Sequence, residues 1–148
     1  MSNLSAFLHP LTVQEEKEVY ISRRFVQRDE AGNPVLGPDG KPIPEPFKIR
    51  SITQDEADAL LKQATRTVKK RDGSMERTVD DQDFNRRLIV TATVMPDFRS
   101  TELCSAYGVM DPLMVPGKML FSGEFSNLLR EILDLSGLTD FPEDEAKN

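Results

Sequence analysis

The feature that most constrains the fold is the stretch from Asp83 to Leu138. It holds 27 of the chain's 56 apolar residues in just over a third of its length and is cut at short intervals by helix-start and helix-stop signals. Such a pattern predicts short helices that each bury one face. Phe84, Leu88, Ala92 and Met95 follow one helical stripe, and Leu88 to Met95 is apolar almost all round, which predicts deep burial. Ile89, Val90, Thr91, Thr93 and Val94 leave a strand open here. The length and the spacing from Phe84 favour a helix, capped by Asp81 or Asp83 and ended by Pro96. Ser100 predicts the cap of a short helix carrying Leu103, Cys104 and Tyr107, with Gly108 as its stop. Asp111-Pro112 starts another, cut short by Pro116-Gly117. Ser122 is the expected cap of the last helix, where Phe125, Leu128, Leu129, Ile132 and Leu133 form a wide apolar stripe that Gly137 closes.

Upstream the pattern changes. Asn3 to Leu8 predicts a helical turn or two with Leu4, Phe7 and Leu8 on one side, stopped by Pro10. Glu18 to Val26 and Phe47 to Ile52 alternate with period two and are expected to pair as antiparallel strands. Between them, Arg28 to Pro46 holds Gly32, Gly37 and Gly40 and five of the ten prolines, so it reads as a loop or a ragged hairpin tip with its turn at Asp39-Gly40. A tolerated surface insertion explains it better than a mobile partner-contacting arm, since long loops are cheap to close. Thr53-Gln54-Asp55-Glu56 is a capping box. Its helix is expected to carry Ala57, Leu60, Leu61, Ala64 and Val68, with Arg66, Lys69 and Lys70 in the last turn and a polar linker on to Asp81. The fold class is therefore α+β and mainly α: an N-terminal β-hairpin followed by a bundle of four or five helices. We expect a single domain over residues 1–138, with the Pro/Gly-rich loop at 28–46, then an acidic flexible tail over 139–148.

Little in the composition points to chemistry. A net charge of −6 and a pI near 4.9 oppose a phosphate backbone, so nucleic acid is a poor default partner. One cysteine, Cys104, excludes an internal disulfide and reads as a small buried hydrophobe. His9 is the sole histidine, and nothing local brings it to Cys104 as a dyad; together they fall short of the roughly four ligands of a zinc site. Asp80-Asp81-Gln82-Asp83 lacks the glycine and distal glutamate of a calcium loop. No glycine-rich phosphate loop is present, and no apolar run approaches the roughly 20 residues that span a bilayer. We therefore expect no enzyme, no metal and no cofactor. The N-terminus has no basic region before an apolar run, so no signal peptide is expected.

Several pieces, in order, carry a family resemblance: Phe47-Lys48-Ile49-Arg50-Ser51-Ile52-Thr53, Met95-Pro96-Asp97, Leu103 with Ser105-Ala106-Tyr107-Gly108-Val109, Gly117-Lys118-Met119-Leu120, Gly123-Glu124-Phe125 with Leu128-Leu129, and Ser136-Gly137-Leu138. With these the chain resembles the tail assembly chaperones of long-tailed phages, specifically the XkdN-like group. The insertion at Val35 to Pro46 is longer than expected for the group, and Phe121-Ser122-Gly123 stands where Leu-Pro-Gly would be more familiar. The resemblance implies a homo-oligomeric, non-enzymatic coat. It would hold the tape measure protein soluble in the host cytoplasm, recruit tail tube subunits, and be absent from the mature virion. A client that is long, helical and apolar calls for adaptable apolar surface. Met110, Leu113, Met114, Met119, Leu120, Phe121 and Phe125 are the candidate partner-binding residues, and filling an irregular core explains the methionines equally well. The alternatives are a minor tail or adaptor subunit kept in the virion, and a small regulatory or nucleic-acid-binding protein using Arg66 to Arg71 and Arg86-Arg87. The resemblance also implies a second, longer product made by −1 frameshifting: Ala146-Lys147-Asn148 permits the codons GCA-AAA-AAC, which contain a slippery heptamer, though it does not require them.

Overall fold

The computed structural model describes residues 3–138. The tail expected over 139–148, and the codons around Ala146-Lys147-Asn148, lie outside the described residues. The elements in order are α1 (Leu4–Leu8), β1 (Glu16–Val19), β2 (Phe47–Arg50), α2 (Gln54–Gln63), β3 (Thr65–Lys69), β4 (Met75–Val79), α3 (Asp81–Ala92) and β5 (Thr93–Met95). They continue with α4 (Thr101–Ala106), a 3-10 turn (Pro112–Met114), α5 (Val115–Met119) and α6 (Ser122–Leu135).

The expected pairing of the first two strands is present, but the first strand lies at Glu16–Val19 and shares only Glu18 and Val19 with the expected Glu18–Val26. β1 and β2 run antiparallel with Glu16 opposite Arg50 and Val19 opposite Phe47, and β5 joins the other edge of β2 to give the order β1-β2-β5. One face of this sheet is apolar: Phe47 and Ile49 are buried, while Lys48 faces out and pairs with Glu16 at 3.0 Å. That is the usual economy of a small antiparallel sheet, wet on one side. Helix α3 supplies Leu88, Ile89, Val90 and Ala92 to the core, and α6 supplies Leu128 and Ile132, all essentially inaccessible. Helix α6 packs on both α3 and the strands, and Lys17 of β1 reaches Glu131 of α6 at 2.9 Å.

The α+β class holds, with more helix than strand, but the helices do not stand as a separate bundle. Two long helices lie over a sheet, and a second, two-stranded sheet stands beside them. Helix α2 stops at Gln63 instead of running on to Lys70. There the Thr65 hydroxyl donates back to the Leu61 carbonyl at 2.7 Å, and Thr65, Thr67 and Val68 are β-branched. The expected polar linker is instead the return strand β4, reached through a turn at Asp72-Gly73. Gly73 has φ +87°, and Asp72 Oδ1 accepts the Ser74 amide at 2.8 Å.

Helix α3 is also shorter than predicted. It is capped by Asp80, not Asp81 or Asp83, and it ends at Ala92, where Thr93 turns directly into β5. The β-branched residues at 93 and 94 take the strand because β2 offers an open edge there. Pro116 does not interrupt a helix; it sits in the first turn of α5, where its missing N–H costs nothing. The N-cap of α6 is Phe121, one residue before Ser122. Its backbone N–H is taken by Glu124 Oε1 at 2.8 Å, which is half of a capping box. The caps at Thr53, Ser100 and Asp111 and the stops at Gly108 and Gly137 stand as predicted.

Arg28 to Pro46 folds as a compact meander. The amides of Gln27, Val35 and Ile43 donate to the carbonyls of Ile43, Gln27 and Val35 at 2.8–3.0 Å. Pro34, Pro42 and Pro44 form bridges beside these donors, so the residues without an N–H alternate with those that need one. The turn falls at Asp39-Gly40, with Gly40 at φ +77°.

Candidate partner-binding surface

The segment from Gly108 to Phe125 carries the residues singled out above. Gly108 at φ +68° lets the chain leave α4, with the Val109 amide returning to the Cys104 carbonyl at 3.0 Å. Asp111 then caps the 3-10 turn through Oδ1, which accepts the Leu113 amide at 3.0 Å. These two devices end α4 and start the 3-10 turn. Met119 and Leu120 are buried with Val115 and belong to the core, so they are not available to a partner. Leu113 and Phe125 are half-buried and pack on that core. Met110, Met114 and Phe121 face solvent, Met110 almost completely at 99%.

Phe121 is the best-positioned of the three. The Arg24 guanidinium lies 3.8 Å from its ring centroid and 4.7 Å from that of Phe25. Arg24 is held in turn by an ion pair with Glu124 and by donating to the Met119 carbonyl at 3.0 Å. The Arg24 hydrogen bond holds the Glu124 carboxyl well below its ordinary value, down to about 2, helped by Ser22 and the Phe121 amide and opposed by desolvation. The result is an aromatic ring with a cation on one face and 64% of its surface still exposed.

A second exposed apolar group is the N-terminal arm, which is not among the partner-binding residues expected from the sequence. Helix α1 has no buried residue, and Leu4, Phe7, Leu8, Leu11 and Val13 are all exposed. The signal was present in the i, i+3, i+4 spacing of Leu4, Phe7 and Leu8, an apolar stripe too short to have a core of its own. Among the described residues no group of three or more His, Cys, Asp or Glu side chains could hold a metal. Cys104 is buried, its thiol 3.6 Å from the Phe98 carbonyl. No helix among the described residues is long and apolar enough to cross a membrane.

Comparison with known proteins shows the family. Residues 4–147 match the family described as phage XkdN-like tail assembly chaperone protein. The phage-like element PBSX protein XkdN of Bacillus subtilis (strain 168) is 34% identical over 151 residues, covering 99% of this chain and 94% of that protein. The uncharacterized protein YqbN of the same strain is 35% identical over 144 residues, covering 96% and 89%. A crystal structure of YqbN superposes with a TM-score of 0.68 at 33% identity, covering 93% of this chain and 98% of that one. The chain therefore belongs to the XkdN-like phage tail assembly chaperones.

Proposed function

We propose that the protein coats the tape measure protein as a homo-oligomer, keeps it soluble in the host cytoplasm, and helps recruit tail tube subunits before the tail polymerises. It leaves before the virion is finished. The observation that carries this reading is the N-terminal arm, with Leu4, Phe7, Leu8, Leu11 and Val13 exposed on a chain whose family assembles tails. Exposed apolar side chains gathered on one short arm suit a surface that a partner covers. Met110, Met114 and Phe121, with Leu113 and Phe125 behind them, form the second contact group. The client is a long apolar helix, met by side chains at helical spacing and by methionines that adapt their shape. A longer product made by −1 frameshifting near Asn148 supplies the contact to tube subunits.

Co-expression with the cognate tape measure protein tests the reading. The native chain should move that protein into the soluble fraction, and a Leu4→Ser/Phe7→Ser/Leu8→Ser variant should not, while remaining folded itself. An unchanged soluble fraction with the native chain would refute the client assignment. Abundant copies of the chain in purified particles, read by mass spectrometry, would make it a tail subunit instead. Codons that break the heptamer, or an early stop in the −1 frame, would remove the longer product.

A further inference from the structure

The β3–β4 ribbon has no evident role in folding. Its strands pack chiefly on each other, Thr67 and Arg77 border α2 across an open groove shared with Asp58, Leu61 and Lys62, and every residue from Arg66 to Val79 is exposed. A lone two-stranded ribbon is marginal in water unless something covers it. Its charge is also unlike that of the rest. Arg66, Lys69, Lys70, Arg71 and Arg77 against Asp72 and Glu76 give a net +3 within a chain of −6. The register places Lys69 opposite Met75 and Thr67 opposite Arg77, so Lys69, Met75 and Arg77 share one face. Met75 is thus an exposed apolar knob between two cations. Arg66 and Lys70 are paired with Asp80 and Glu76, whereas Lys69, Arg71 and Arg77 make no ion pair among the described residues.

The opposite surface exists elsewhere on the same chain. β5 is an edge strand, paired only with β2, and its Val94 and Met95 are exposed. Beside it an open groove of about 420 Å³ is lined by the apolar Met95, Pro96, Leu103 and Ala106 together with Ser100, Asp97 and Glu102. Neither carboxylate makes an ion pair among the described residues.

We propose that the β3–β4 ribbon of one copy docks into the Met95–Leu103 groove of a second copy, with Met75 on its apolar lining and Lys69, Arg71 and Arg77 against Asp97 and Glu102. Ribbon and groove are different patches, so the contact is head-to-tail and propagates into a ring or an open file of subunits. This deepens the homo-oligomeric coat proposed above and rests on it for its biological sense. Its test contains no tape measure protein, so its failure is separable from failure of the client assignment.

The experiment is sedimentation of the full chain with two surface variants, Lys69→Glu/Arg71→Glu/Arg77→Glu and Asp97→Lys/Glu102→Lys. All five positions are exposed, and circular dichroism should show both variants folded. The native chain should exceed 16.7 kDa at low salt and fall toward it at about 1 M salt, where charge is screened within roughly 3 Å. Each variant alone should stay monomeric. Mixed in equal amounts they should associate again, because each then presents the charge the other lacks. A native chain that is monomeric throughout would overturn the proposal. So would variants that assemble as the native chain does, or a mixture that stays monomeric.

Discussion

Replacing Glu124 by glutamine should destabilise the protein at neutral pH and change it only slightly near pH 2. The Glu124 carboxyl lies well below its ordinary 4.5, at about 2, because Arg24 donates to it. By linkage that gap corresponds to a ceiling of roughly 3 kcal/mol in favour of the folded state. The ion pair is only partly sheltered, with side-chain exposures of 15% for Glu124 and 36% for Arg24, so solvent screening reduces the expected loss to about 1–2 kcal/mol. The sign follows from the direction of the shift. A carboxyl depressed in the folded state stabilises fully above its unfolded value, and that stabilisation is lost as pH falls through about 2. Glutamine keeps a carbonyl that can accept the Phe121 amide, so the half capping box survives and the difference reports the charge. Urea midpoints of the native chain and of Glu124→Gln, taken near neutrality, at about pH 4.5 and at about pH 2, should converge as pH falls. A gap that stays constant, or widens with acid, would refute the role assigned to the Arg24–Glu124 pair.

Other perturbations follow from the packing. Thr53→Ala should cost about 1 kcal/mol in a denaturant titration, because Thr53 Oγ1 accepts the Glu56 amide at 3.2 Å while Glu56 returns to the Thr53 amide at 3.1 Å. Ile132→Ala should cost about 2–5 kcal/mol, and Leu128→Asp or Ile132→Asp should abolish the cooperative transition, since both sites are wholly buried. Met110→Ser should change stability by less than about 0.5 kcal/mol, its side chain being exposed, and should weaken client binding.

What could be read from the sequence was mostly local. Thr53 with Glu56, Ser100, Asp111-Pro112, Gly108 and Gly137 act within four or five residues of themselves, and each helix begins or ends where they say. The misreadings came where a distant partner decides. Val68 fits the helical period after Ala64, yet the chain there pairs with Met75–Val79 across a turn. Thr93 to Met95 continue an apolar helix in the sequence and a sheet in the structure, because β2 lies within hydrogen-bonding reach. Phe121 caps α6 with no side-chain acceptor of its own, and the compensation comes from Glu124, itself fixed by Arg24. The candidate surface divides in the same way. Met119 and Leu120 look no different in sequence from Met110 and Met114, and only the packing of α5 against α3 and α6 turns them inward.

The most direct test of where the client binds is hydrogen–deuterium exchange on the complex with the tape measure protein. Amides of residues 4–13 and 110–125 should slow on complex formation, while those of β1 and β2 should not change. Protection confined to the sheet or to the 28–46 meander, with residues 4–13 and 110–125 exchanging as in the free chain, would contradict the account.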